Sequence, residues 1–265
     1  MSLERFLRQD LFLFRLTPCQ LDYSRIFAGS KLLRMGKDKL KKFAEIATFS
    51  NVLQLDEGKA MKGQWARQHF GNDRDVVLEL ACGKGEYTVN LARMFPGRNF
   101  IGVDYKGNRI WRGAKTALEE GIKNVAFLRI QIENILDYFD TGEVSEIWIT
   151  FPDPQPAKRR IKKRLTHPVF LAKYQQIVRQ GGLLHLKTDN DGLHAYTLET
   201  LTDLGVEPAA QTTDLYRSDL ADDVLSIKTY YEQKYLAVEK NINYLKWSLP
   251  DQAIHPSDPE AIPRA

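Results

Sequence analysis
Val76-Val77-Leu78-Glu79-Leu80-Ala81-Cys82-Gly83-Lys84-Gly85 decides how the rest of the chain is read. An apolar run interrupted only by Glu79 predicts a strand buried on both faces, and the Gly-x-Gly behind it predicts a tight turn into a helix. Working outward, further strands are expected at Phe100-Ile101-Gly102-Val103-Asp104, Val125 to Ile130, Ile147-Trp148-Ile149-Thr150-Phe151 and Leu183-Leu184-His185-Leu186-Lys187, each followed by helix-like sequence. Strands that alternate with helices form right-handed crossovers, so the chain is α/β, a mostly parallel sheet with helices on both faces. After the second of these strands, Ile110, Ala114, Ala117 and Leu118 form one apolar helical stripe. Ser226 to Val238, rich in β-branched and aromatic residues, is expected to close the sheet as an antiparallel edge hairpin with a strand near 207 to 216.

In open α/β sheets, ligands bind beyond the carboxyl ends of the strands. Glu79, Gly83 and Gly85 lie there, as does Asp104, where a carboxylate can accept both hydroxyls of a ribose. A dinucleotide would call for a third glycine at position 88, which is Thr88, and Glu86 would repel a pyrophosphate. S-adenosylmethionine carries a sulfonium and an ammonium and no phosphate, and it suits an acidic turn. The plainer alternative is a glycine turn that serves chain geometry only.

At the matching end of the fourth strand stands Phe151-Pro152-Asp153-Pro154-Gln155-Pro156, where prolines on both sides hold Asp153 in a stiff loop. Lys158, Arg159, Arg160, Lys162, Lys163 and Arg164 follow, six charges in seven positions. Beside a presumed site such a block points to phosphate binding, although a run of this kind can also be a solvated helix face. Asp153 can likewise be a simple turn residue. Asp189, after the fifth strand, adds a second carboxylate to the same rim. Strand alternation would put Thr229 and Tyr231 on one face of the late hairpin and leave Glu232 as an exposed residue on the other.

The chain has 265 residues, 43% of them hydrophobic, with a formal charge of only +4, so charge clustering is more informative than the total. A second cluster is Lys37, Lys39, Lys41 and Lys42. Two distant cysteines and five histidines without ligand spacing point to a reducing compartment and no metal, and no apolar run reaches the roughly 20 residues of a membrane helix. The expectation is a soluble cytoplasmic protein. Residues 1–34 are expected to be an N-terminal extension, a flexible arm or an overlong start, because Met35-Gly36-Lys37 resembles a fresh basic N-terminus. A basic segment follows over 35–74, a catalytic domain over 75–240 and a tail over 241–265, disordered after Pro250.

Glu79-Leu80-x-x-Gly83-Lys84-Gly85, Gly102-Val103-Asp104-Tyr105-Lys106-Gly107-x-Arg109-x-Trp111-Arg112-Gly113-Ala114-Lys115, Phe151-Pro152-Asp153-Pro154, Lys162-Lys163-Arg164-Leu165-Thr166, Leu186-Lys187-Thr188-Asp189 and Thr229-x-x-Glu232 together resemble the bacterial tRNA (guanine-N7-)-methyltransferases, in the family's order from about Lys37 to Val238. The resemblance implies a Rossmann-like class I S-adenosylmethionine-dependent methyltransferase that methylates N7 of a guanosine in the tRNA variable loop, position 46. It implies that Glu79, Asp104 and the region of Gln131 bind S-adenosylmethionine, and that Asp153, Asp189, Thr229 and Glu232 belong to the catalytic and guanine pocket, with Glu232 able to accept both donors of guanine's Watson-Crick edge. Two departures stand out. Gln155 and Ala157 replace a usual Trp and Lys, leaving Lys158 as the substitute lysine, and Gln131 replaces a usual Asp, leaving Glu133 as an alternative adenine contact. An amino-group nucleic-acid methyltransferase, whose Pro-Pro loop carries an aromatic where this chain has Gln155, ranks second. A non-catalytic RNA-binding module ranks third and a nicotinamide oxidoreductase fourth.

Overall fold
The computed structural model describes residues 31–255, with side chains from Lys39 onward. Its elements are helix α1 (Lys31–Ile46), β1 (Val52–Gln54), α2 (Leu55–Ala60), β2 (Val76–Leu80), α3 (Glu86–Met94), β3 (Asn99–Asp104), α4 (Gly107–Glu119), β4 (Val125–Arg129), β5 (Val144–Thr150), α5 (Pro168–Ile177), β6 (Val178–Thr188), α6 (Asp191–Asp203), β7 (Ala210–Thr212), α7 (Tyr230–Leu236) and β8 (Asn243–Ser248). The eight strands run in the order β1-β4-β3-β2-β5-β6-β8-β7. All neighbours are parallel as far as β6, and β8 lies antiparallel between β6 and β7.

Alternating residues of the central strands serve opposite faces. Leu78, Ile101, Leu128, Ile147 and Leu184 pack on one side, while Val77, Phe100, Phe127 and Trp148 pack on the other. Both sides are covered, which is why β2 is buried at every position and shows no polar alternation. On α4 the expected stripe holds for Ile110, Ala114 and Ala117, all fully buried, but Leu118 is 41% exposed because it falls beyond the contact with the sheet.

Several expectations are corrected. Ser226–Val238 is no strand: it forms a loop and then helix α7, started by a reciprocal capping box between Thr229 and Glu232. The antiparallel partner of β7 is instead β8, which lies in the expected tail and buries Tyr244, Leu245 and Trp247 in the core. The beginning of that tail is ordered too, since the backbone N–H of Ile254 donates to Gln175 (2.8 Å) and Ile254 is buried. The boundary at 75 also shifts, because β1 extends the sheet beside β4 and Trp65 is fully buried, donating its indole N–H to the Tyr138 carbonyl (2.8 Å). Helix α1 runs across the expected boundary between 34 and 35. The rest of the proposed extension lies outside the described residues.

Candidate active site at the carboxyl edge of the sheet
The turn after β2 needs its glycines for two different reasons. Gly83 adopts φ +58°, and an added Cβ there would meet nothing nearer than the Ala81 carbonyl at 3.9 Å. The backbone above it is open to a ligand. Gly85, φ +68°, has no such room: a Cβ would lie 2.4 Å from the Phe127 ring. Gly113 on α4 is equally tight, its Cβ position lying 2.6 Å from the Lys84 carbonyl, so the two glycines let α4 pack against the turn.

Asp104, at the end of β3, braces this turn. One carboxylate oxygen accepts the Gly83 N–H (3.0 Å) and the other accepts the Lys106 N–H (2.8 Å). Each oxygen keeps a lone pair for a further donor. Burial pushes its pKa up against those two hydrogen bonds. Glu79 is buried at 2% exposure. Its carboxylate accepts the Thr88 N–H (2.8 Å), the Thr88 hydroxyl and the Thr150 hydroxyl (2.5 Å), which ties β2 to α3 and β5. With no cation among these partners, burial pushes its pKa up to about 7. A buried acidic lining under an open glycine backbone fits a ligand that presents hydroxyls and an ammonium and opposes a pyrophosphate, as the sequence implied.

Gln131 and Glu133 are both exposed beyond β4, at the start of a 3₁₀ turn over Ile132–Asp137. The Glu133 carbonyl receives the Lys173 ammonium from α5. Among the described residues, no hydrogen bond or ion pair of either side chain favours one of them as the adenine contact.

Phe151 leaves β5 in the left-handed region (φ +48°), a conformation that costs an L-residue about 1–2 kcal/mol. Long-range contacts hold it there. Its N–H donates to the Lys187 carbonyl (2.8 Å), and its ring stacks on Tyr235 of α7 at 6.1 Å. The reversal turns Asp153 outward, exposed, with one carboxylate oxygen accepting the Gln155 N–H (3.1 Å). Asp153 therefore does fill a turn role, while its charge stays open to solvent at the strand end. The basic block forms a 3₁₀ turn over Lys158–Lys163 with no buried residue, placing Lys158, Arg159, Arg160, Lys162 and Lys163 on the surface beside this loop. Arg164 differs: its guanidinium lies 4.3 Å from the Tyr196 ring centroid and donates to the Gln155 carbonyl (3.4 Å), so it anchors the block.

Asp189, just past β6, is paired with Lys240 (2.6 Å). Glu232 departs most from expectation. Instead of an exposed strand residue it is fully buried: one oxygen meets the Lys187 ammonium (2.8 Å) and the Tyr216 hydroxyl (2.6 Å), and the other accepts the Thr229 N–H (3.3 Å). Thr229 accepts the Glu232 N–H in return (3.2 Å). These two residues hold the end of the loop, and in this structure the Glu232 carboxylate faces Lys187 and Tyr216 rather than solvent. Lys187 is the structural anchor of this edge that strand reasoning missed. Fully buried, it donates to Glu232 and to the carbonyls of Leu225 (2.7 Å) and Ile227 (3.2 Å), and burial lowers its pKa. Its signal was a lysine in an otherwise apolar run whose partner lies 45 positions away in sequence.

Comparison with known proteins bears on the fold and the family. Residues 73–245 match a family model described as "Putative methyltransferase". Two 16S rRNA methyltransferase structures share the fold: KamB, with a TM-score of 0.54 at 16% identity over 69% of this chain and 92% of that one, and an adenine(1408)-N(1) enzyme from Catenulisporales acidiphilia, with a TM-score of 0.53 at 17% identity over 71% and 93%. The fold and site thus define a methyltransferase of the Rossmann-like class.

Among relatives, the tRNA (guanine-N(7)-)-methyltransferase of Christiangramia forsetii is 50% identical over 220 residues, 80% of this chain and 98% of that protein. The protein of the same name from Bacteroides thetaiotaomicron is 48% identical over 226 residues, 83% and 89%. The chain belongs to the tRNA (guanine-N(7)-)-methyltransferase family. Among the described residues no helix is long and apolar enough to cross a membrane, and no group of three or more His, Cys, Asp or Glu side chains could hold a metal ion.

Proposed function
We propose that this protein transfers the methyl group of S-adenosylmethionine to N7 of a guanosine in the variable loop of tRNA, position 46, in the cytoplasm. One observation carries the reading: β2 and β5 are neighbours, so the acid-lined glycine turn and the Asp153 loop with its basic block stand side by side on one rim. Glu79, Asp104 and the open backbone of Gly83 would hold the cofactor, which supplies an electrophilic methyl group. N7 already carries a lone pair, so no side chain has to remove a proton. Alignment and negative potential are what the site must provide. Asp153 offers an exposed carboxylate for the positive charge that develops on the purine, with Asp189 one strand further along. Lys158, Arg159, Arg160, Lys162 and Lys163 would meet backbone phosphates, which position an RNA without reading its bases.

The test is incubation of the full chain with unmodified tRNA and cofactor labelled in the methyl group, followed by mass mapping of the modified nucleoside. The expected product is one N7-methylguanosine per tRNA in the variable loop, cleavable after borohydride and aniline. Label on an exocyclic amine, or nowhere, rejects the reading.

A further inference from the structure
Helix α7 carries two exposed aromatic residues side by side, Tyr230 at 40% and Tyr231 at 41% exposure. Scattered single rings are ordinary on a surface, whereas contiguous ones mark a contact. The two rings meet edge to face, with centroids 5.6 Å apart. Among the described residues, no hydrogen bond engages the Tyr231 hydroxyl and no cation lies over its ring, which leaves ring surface open to a ligand.

The pair lies between the two halves of the site. At one end, the Tyr230 N–H donates to Glu86 of α3 (2.7 Å) and the Lys84 ammonium sits 3.6 Å from the Tyr230 ring centroid, so α7 is joined to the glycine turn. At the other, Tyr235, one helical turn beyond Tyr231, stacks on Phe151, which leads into the Asp153 loop. The stretch between is stiff: Glu232, next in sequence to Tyr231, is locked to Lys187 and caps α7 together with Thr229. A ring carried on such a stretch loses little freedom when a ligand stacks on it. Lys84 and Lys234, the latter at 4.4 Å, both lie against the Tyr230 ring, and among the described residues neither is in an ion pair.

An aromatic face flanked by cations that no carboxylate neutralises fits an unpaired nucleotide, whose base stacks and whose phosphate is anionic. A protein could meet the same ring, but the uncompensated positive charge favours a polyanion. We infer that Tyr231, braced by Tyr230, is the stacking platform for an unpaired base flanking the methylated guanosine, with Lys84 and Lys234 beside its phosphate. This rests on the tRNA reading above and adds a positioning residue to it. The guanine itself has to lie against Asp153 and the cofactor. The platform stands about 6 Å along α7, one helical turn, from the Tyr235 ring that stacks on Phe151, close enough for an adjacent nucleotide. Stacking tolerates any base, so the platform holds the strand without choosing its sequence.

The test uses full-length chain and tRNA in which the nucleotide on either side of the target guanosine is replaced in turn by an abasic one, with Kd read by fluorescence anisotropy and kcat/KM by methyl transfer. For the wild type, loss of the base at one of the two positions should weaken binding by roughly 10-fold and act on KM rather than kcat. Tyr231→Ala should weaken binding of the intact tRNA by a similar factor and then be indifferent, within about twofold, to the abasic change. Tyr231→Phe should behave as wild type, because the ring stacks and the hydroxyl has no partner. A Tyr231→Ala variant that binds intact tRNA as the wild type does, or whose loss simply multiplies with that of the abasic change, would overturn the inference. If its RNA affinity is unchanged while its oligomeric state in sedimentation shifts, the patch is a protein contact and the inference is equally lost. Absence of N7-methylguanosine from intact tRNA treated with wild type would instead sink the parent reading, and the anisotropy comparison would still decide the platform by binding alone.

Discussion

Glu79 and Glu232 are both buried under the carboxyl edge of the sheet, at 2% and 0% exposure, and they are satisfied in opposite ways. Glu79 meets two hydroxyls and an amide, all neutral, so its proton is held up to about pH 7. Glu232 meets the ammonium of Lys187, with Tyr216 and the Thr229 N–H completing its shell. A carboxylate satisfied by neutral donors can change charge when a cationic ligand arrives. One locked in a buried ion pair serves as a strut. The cofactor rim thus keeps its electrostatics adjustable, while the outer rim keeps its geometry by a pair too costly to open.

The largest expected effect breaks the strut. Lys187→Met should destabilise the protein by about 3–5 kcal/mol in urea denaturation, because it leaves Glu232 buried without its cation. Lys187→Met with Glu232→Leu should recover much of that loss. If the single variant is as stable as wild type, the pair is no strut.

Glu79 sharpens the other half of the comparison. Its folded pKa, about 7, lies above its ordinary 4.5, so the folded state binds the extra proton. Its contribution to stability is present below the ordinary value and is lost as pH rises to about 7, a fall of up to roughly 3 kcal/mol. Glu79→Gln should remove that part of the pH dependence in urea titrations without cofactor. A wild type and variant with parallel pH profiles would refute the assignment.

Asp153 separates chemistry from architecture on the outer rim. Being exposed and nearly isosteric with its replacement, Asp153→Asn should leave folding and cofactor affinity intact and lower turnover by about 10²-fold or more. Full activity would exclude this carboxylate from the transition state. The smallest effect belongs to the surface turn: Arg160→Ala should reduce the slope of log affinity for tRNA against log salt by about 1 without changing cofactor binding. An unchanged slope would make Arg160 part of a solvated face.

The five parallel strands β2 to β6, the glycine turn, Asp104 and the Asp153 loop were legible in the chain, whereas β1 was not. Each depends on neighbours in sequence: an apolar run, a positive φ, a proline beside a carboxylate, a charge block directly after it. The antiparallel edge was not. Asn243–Ser248 offers Asn243, Lys246 and Ser248 among its apolar residues and precedes a proline, so it resembles the start of a tail until pairing with β6 and β7 buries it. Thr229-Tyr230-Tyr231-Glu232 satisfies both strand propensity and the Thr-x-x-Glu capping pattern, and the helix prevails. The Lys187–Glu232 pair belongs wholly to tertiary structure. Local sequence determines backbone preference and which residues can carry charge. Whether a carboxylate ends in water, against hydroxyls or against an ammonium depends on what the fold brings to it from distant positions, and that decided the roles of Glu79 and Glu232.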